Sequence, residues 1–243
     1  MEIQGKTALV TGAAKRVGRV IALQLAQKGA DIVLHYHNSK EEALSTQKEI
    51  KAIGVHCHLV QADLAHAQPI HHMTQDLEKN KIKIDILINS ASIFYKTPLP
   101  TVSEADWDQL MNANLKSYFL LSREIGLAMK EHGSGKIINI VDWSAFRPYK
   151  DYLPYCTSKG GLLTMTKALA RDLAPTVCVN AIAPGPVLQP EKLSEEEMQE
   201  TIKKIPLGRW GKPEDVANAV NFLVESDYIN GTVLVVDGGR SIV

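Results

Sequence analysis

The sequence predicts a doubly wound α/β fold, a seven-stranded parallel sheet with helices on both faces. Three observations predict it. Short β-rich runs alternate with helical patterns from one end of the chain to the other. Most of the runs are apolar nearly throughout, as strands buried on both faces are. A glycine-bearing turn joins the first run to the first helix, where such sheets take anionic ligands.

The elements follow in order. Lys6 to Thr11 reads as the first strand, and Arg16 to Lys28 as a helix stopped by Gly29. Asp31 to Tyr36 is the second strand, and Lys40 to Ile53 is a helix ended by Gly54. Val55 to Val60 is the third strand, His66 to Asn80 a polar helix, and Ile84 to Asn89 the fourth strand. A long helix begins near Ser103, a suitable N-cap, and runs past Met129. Lys136 to Val141 is the fifth strand. Tyr152 to Leu173 is helical, and Pro175 closes it. Val177 to Ile182 is the sixth strand. Ser194 to Ile205 opens with a Ser194–Glu197 capping box. Pro213 starts a helix to Val224, and Thr232 to Val236 is the last strand. Right-handed crossovers make the doubly wound topology the natural one. No linker or short repeat divides the chain, so residues 1–243 read as one domain. The stretch from Pro186 to Arg209 breaks the rhythm and suits a mobile flap over a site.

Composition narrows the function. The formal net charge is zero and charged residues make up 22% of the chain. Neither balance points to nucleic acid or an anionic membrane. No run is apolar enough to span a bilayer, and Met1 to Gly5 lacks a charged leader. A cytoplasmic protein acting on a small molecule is expected. Cys57, Cys156 and Cys178 form neither a disulfide framework nor a zinc motif. In a strand His56 and His58 share one face and Cys57 the other, so no metal site is expected.

The first strand–helix turn runs Thr11-Gly12-Ala13-Ala14-Lys15-Arg16-Val17-Gly18. Small residues there let backbone approach a phosphate, and helix N-terminal N–H groups face it. The second strand ends in His35-Tyr36-His37-Asn38-Ser39 without an acid. An acid would bind a free ribose 2′-OH, whereas neutral or basic groups beside Arg16 suit the 2′-phosphate of NADP(H). Asp63, followed by Leu64, is read either as an adenine contact or as a helix cap.

Tyr155 and Lys159 stand at i and i+4, on one face of a helix. A nearby ammonium would lower the phenol's pKa and make it a proton donor near neutrality.

These pieces, with Asn89-Ser90-Ala91, Asn114, Asn180 to Gly185, Pro213 to Val216 and Val236 to Gly239, carry a resemblance. The chain is similar to the short-chain dehydrogenases/reductases over nearly its whole length. The resemblance implies a Rossmann-type domain, hydride transfer from a nicotinamide, a proton relay through Asn114, Tyr155 and Lys159, and a homotetramer. It implies a cofactor site of Gly12, Lys15, Arg16, Val17, Gly18, Tyr36, His37, Asn38, Ser39, Asp63, Leu64, Asn89, Ser90, Ala91, Tyr155, Lys159, Pro184 and Gly185.

The departures from that family's usual pattern are informative. Arg16 stands where a glycine is usual, and Ser90 where a second asparagine is. The usual serine lies 13 residues before the tyrosine, and here that residue is Asp142. A hydroxyl suits a developing alkoxide, whereas a carboxylate would repel it and suit a substrate offering N–H groups. The plain alternative makes Asp142 a strand-end cap. The combination resembles the pteridine reductases within the family. That likeness implies a pterin or folate-like substrate held by Arg16, Ser92, Phe94, Asp142 and Tyr155, with Phe94 stacking on the ring. Asn38 stands where some of those relatives carry arginine. Two rivals remain: a 3-oxoacyl-thioester or ketone reductase, and a non-catalytic NADP(H)-binding sensor on the same fold.

Overall fold

The structure is a computed structural model that describes residues 1–188 and 194–243. Seven strands, β1 (Thr7–Val10), β2 (Asp31–Tyr36), β3 (Cys57–Gln61), β4 (Ile86–Asn89), β5 (Gly135–Ile140), β6 (Val177–Pro184) and β7 (Val233–Val236), form one sheet. The order is β3-β2-β1-β4-β5-β6-β7, and every pairing is parallel. The order reverses between β1 and β4, so a crevice opens beyond their carboxyl ends.

Side-chain parity decides the two cores. Ala8 and Val10, Ile32 and Leu34, Ile86 and Ile88 face one side. That side is covered by α1 (Arg16–Gln27), α2 (Lys40–Ile53) and α8 (Pro213–Glu225), through Ile21, Leu25, Ile50 and Val220. Leu9, Val33, Leu87, Ile137 and Val179 face the other side. There α3 (Ala67–Lys79) and α5 (Ser117–Glu131) supply Ile70, Met73, Leu121 and Ile125. Each fully buried aliphatic side chain contributes roughly 1.5–3 kcal/mol. A one-residue register slip would exchange the two faces, so the pairing is well specified.

The helix expected from Ser103 is real but interrupted. Ser103 caps α4 (Glu104–Met111) through a reciprocal box with Asp106. A π-helical turn, Asn112–Lys116, then separates α4 from α5. The Ser117 hydroxyl donates back to Ala113 O at 2.7 Å within this turn, and such turns gather at functional sites. The helix α6 (Leu153–Asp172) carries the Tyr155/Lys159 pair. Of the expected flap, residues 189–193 lie outside the described residues. Beyond them α7 (Glu195–Lys203) begins at the expected Ser194–Glu197 box. Among the described residues no helix is long and apolar enough to cross a membrane.

Candidate active site

The cofactor side is built from the tips of β1, β2 and β4. Gly12 leaves β1 with φ +65, a conformation that favours glycine. A Cβ there would meet Ala91 Cα at 3.0 Å, so the turn lies close against the chain leaving β4. A Cβ on Gly18 would collide with Gly12 O, which lets α1 begin directly under the turn. The Thr11 hydroxyl accepts from Ser90 N at 2.8 Å and Ala91 N at 3.0 Å, joining the two tips across the switch point.

The donor set fits a phosphorylated dinucleotide. Lys15 and Arg16 are exposed at the start of α1. Lys15 has only a distant carboxylate, Glu42 at 4.0 Å. Arg16 forms no salt bridge among the described residues. Arg16 has φ 58, so the residue standing in the usual glycine's place keeps a glycine-like backbone. His37, Asn38 and Ser39 lie partly or fully exposed beyond β2. The ring of Tyr36, at the end of β2, is 7% exposed and packs in the apolar core. Asp63 does not cap α3, whose N-cap is His66 with no side-chain bond; its Oδ1 instead accepts from Ala65 N at 3.0 Å in the turn before that helix. Its Oδ2 faces His37 at 3.8 Å and His66 at 3.6 Å. Leu64 is buried beside it. Val17 is half-buried at the start of α1, and Pro184 and Gly185 end β6, where a Gly185 Cβ would strike Asp237.

His35 is a residue sequence reasoning left out of the site. It is 2% exposed, yet its ring reaches both Gly12 and Ala62. A histidine inside an otherwise apolar strand was the available signal.

On the catalytic side Asp142 has two duties. Its Oδ1 accepts from Ser144 N at 2.7 Å and caps the short turn Trp143–Ala145. Its Oδ2 accepts from the Tyr155 hydroxyl at 3.1 Å. The capping and chemical readings are therefore compatible, because the two oxygens are divided between them. Lys159 is fully buried one turn along α6, with Nζ donating to Ile140 O at 3.1 Å.

The electrostatics correct one expectation. Burial first, and the Asp142 carboxylate second, push the Tyr155 phenol well above its ordinary value. Burial also draws the Lys159 ammonium down to about 8, against the pull of Asp142. Tyr155 therefore keeps its proton.

Asn114 sits buried in the π-helical turn. Its Oδ1 accepts from Ser92 Oγ at 3.1 Å and Ile93 N at 2.9 Å, and its Nδ2 donates to Ile93 O at 2.9 Å. The side-chain amide of this residue is thus committed to the loop before Phe94. Asn89 turns inward instead, donating to Asn139 Oδ1 at 2.9 Å and Ser122 Oγ at 3.1 Å.

Phe94 is 55% exposed and is not a core residue. It stacks on Tyr152 at 4.5 Å and meets Tyr155 edge-on at 4.8 Å. Tyr149 meets Tyr152 and Trp143 edge-on at 5.9 and 5.2 Å, and its phenol is pushed up by burial and by Asp142. Tyr149 and Tyr152 were missed. The signal was an aromatic at every third position from Trp143 to Tyr155.

Residues 12–241 match the protein family described as Enoyl-(Acyl carrier protein) reductase. The chain is 36% identical over 239 residues to the 3-oxoacyl-[acyl-carrier-protein] reductase FabG of Staphylococcus aureus, covering 96% of this chain and 97% of that protein. It is 36% identical over 244 residues to the 2-dehydro-3-deoxy-D-gluconate 5-dehydrogenase of Bacillus subtilis, covering 98% and 95%. The crystal structure of a putative gluconate dehydrogenase from Agrobacterium tumefaciens superposes with a TM-score of 0.93 at 31% identity, covering 100% and 98%. These names accord with the ketone-reductase alternative better than with the pteridine-reductase expectation.

Proposed function

Since this chain belongs to the short-chain dehydrogenase/reductase family, we propose that it is an NADPH-dependent reductase of a flat, dihydropterin-like ring. One observation carries the substrate class: the Tyr155 hydroxyl rests on the Asp142 carboxylate at 3.1 Å. A reduced nicotinamide, when bound, supplies the hydride. Arg16, His37 and Ser39 would hold its 2′-phosphate, Gly12 to Gly18 its pyrophosphate, and Lys159 a ribose hydroxyl.

The rest belongs to the chain's own groups. Tyr155 is a proton donor held in its protonated form, the state a reduction needs. A ring N–H donating to Asp142 takes over that carboxylate and frees the hydroxyl for a ring nitrogen. An alkoxide developing beside Asp142 would instead be repelled. Phe94, stacked on Tyr152, is exposed and presents aromatic surface to a planar ring. Asn114 positions the Ser92–Phe94 loop that carries this surface.

A second reading, reduction of a 3-oxoacyl thioester or another ketone, is favoured by the names of the relatives. One assay separates the two. NADPH oxidation is followed with a dihydropterin, dihydrofolate and an acetoacetyl thioester, for the native protein and for Asp142→Ser. The pterin reading expects native preference for the pterin, and a loss of roughly tenfold or more on substitution. Preference for the thioester sinks that reading in favour of the ketone. NADPH binding without turnover on any of the three leaves the sensor.

A further inference from the structure

The tips of β1, β2 and β3 meet at one side chain. His35 is the fifth residue of β2, 2% exposed among aliphatic neighbours. Its two ring nitrogens are both in use. Gly12 N lies 3.1 Å from Nδ1, and Ala62 O lies 3.1 Å from Nε2. The His35 carbonyl accepts from Ala13 N at 2.9 Å, so Gly12 and Ala13 of the turn both hang from this residue.

The partners dictate the ring's proton. An amide N–H only donates and a carbonyl only accepts. Nδ1 must therefore be bare and Nε2 must carry the hydrogen. The opposite tautomer would face N–H against N–H at Gly12 and lone pair against lone pair at Ala62. The imidazolium would satisfy Ala62 and oppose Gly12. Burial favours the neutral ring and draws its pKa down to about 4. The charged groups that bear on it are His37, which disfavours protonation, and Asp63, which favours it.

We propose that His35 is a positioning residue for the cofactor: its Nε2–H tautomer fixes the first glycine of the phosphate-binding turn against the tips of β2 and β3. Gly12 needs such a hold. Its left-handed backbone is one of several open to glycine, and nothing in its own side chain selects among them. With the N–H anchored on Nδ1, the following amides and Arg16 are presented in one arrangement before a ligand arrives. The entropy of ordering the turn is then met in folding rather than in binding.

The inference rests on the NADP(H)-binding part of the proposed function and is independent of the substrate. NADPH binding is measured by fluorescence on the native protein and on three variants, each with its melting temperature. His35→Asn puts an amide oxygen near the Nδ1 position, and His35→Gln puts its amide near Nε2. His35→Phe keeps the ring's bulk and removes both partners. Phe and Gln are expected to raise the NADPH Kd roughly tenfold or more. Asn is expected to restore it to within a few-fold of native.

Equal Kd in all three variants, with only melting temperatures lowered, overturns the proposal, as does Gln rescuing better than Asn. Absence of NADPH binding in the native protein would sink the cofactor assignment itself, a separable failure. Should the variants not fold, ¹⁵N spectra of the native histidine side chains at neutral pH still decide. A protonated Nδ1 on His35 overturns the proposal, and a bare Nδ1 with Nε2–H supports it.

Discussion

Arg16 is an L-residue held at φ 58 in the position where a glycine is usual for this family. A left-handed backbone costs a side chain about 1–2 kcal/mol, and the exposed guanidinium gains nothing from a carboxylate among the described residues in return. Strain of this kind gathers where function needs a group. Arg16→Gly should therefore raise stability by about 1 kcal/mol, read by thermal melting, while weakening NADPH more than NADH. Equal loss for both cofactors would argue against a phosphate contact. Lys159 gives a second residue-scale expectation. Its pKa is drawn down to about 8, so it is charged below that pH and neutral above it. Loss of the charge removes the cation that lies 5.7 Å from the Tyr155 ring centroid. The pH profile of kcat/KM should fall as pH rises through about 8, and Lys159→Met should abolish that limb along with most of the rate. A native profile flat to pH 10 would contradict this.

At the scale of elements, the π-helical turn between α4 and α5 carries the most functional weight. Three hydrogen bonds from one buried amide tie it to the loop bearing Ser92 and Phe94. Asn114→Ala leaves the N–H and C=O of Ile93 without those partners, at a cost of roughly 2–3 kcal/mol. In the proposed reading this loop frames the substrate, so substrate KM should rise well above any change in NADPH Kd. Denaturant melts and steady-state kinetics check the two halves separately. A KM that stays native while stability drops would make the turn purely architectural.

The parallel sheet gathers the candidate groups near the carboxyl ends of its strands. This brings distant stretches of chain together: Thr11 with Ser90, His35 with Ala62, and Asp142 with Tyr155. Its acid stability should follow from His35. An unfolded histidine takes its proton near the ordinary 6.5, and the folded one only near 4. The folded pKa is depressed, so the neutral ring's contribution is complete above about pH 6.5 and is lost as pH falls toward 4. The loss amounts to about 3 kcal/mol. Urea melts at pH 7 and pH 4.5 should show this decline in the native protein and less of it in His35→Asn. Identical declines would place the acid sensitivity elsewhere.

The sequence by itself determined the order and nature of the elements, because hydrophobic periodicity and capping are local. The Ser103 N-cap, the Ser194 capping box and the terminating Gly54 are read from near neighbours in the chain. It also singled out Tyr155, Lys159 and Asp142 by fixed offsets. Only the tertiary structure decided what those groups do to one another. Burial is a property of the assembled sheet, and it turned the expected lowering of the Tyr155 pKa into a rise. The tautomer of His35, the commitment of Asn114 to a loop 21 residues away, and the burial of the Tyr36 ring likewise follow from partners that chain order does not announce.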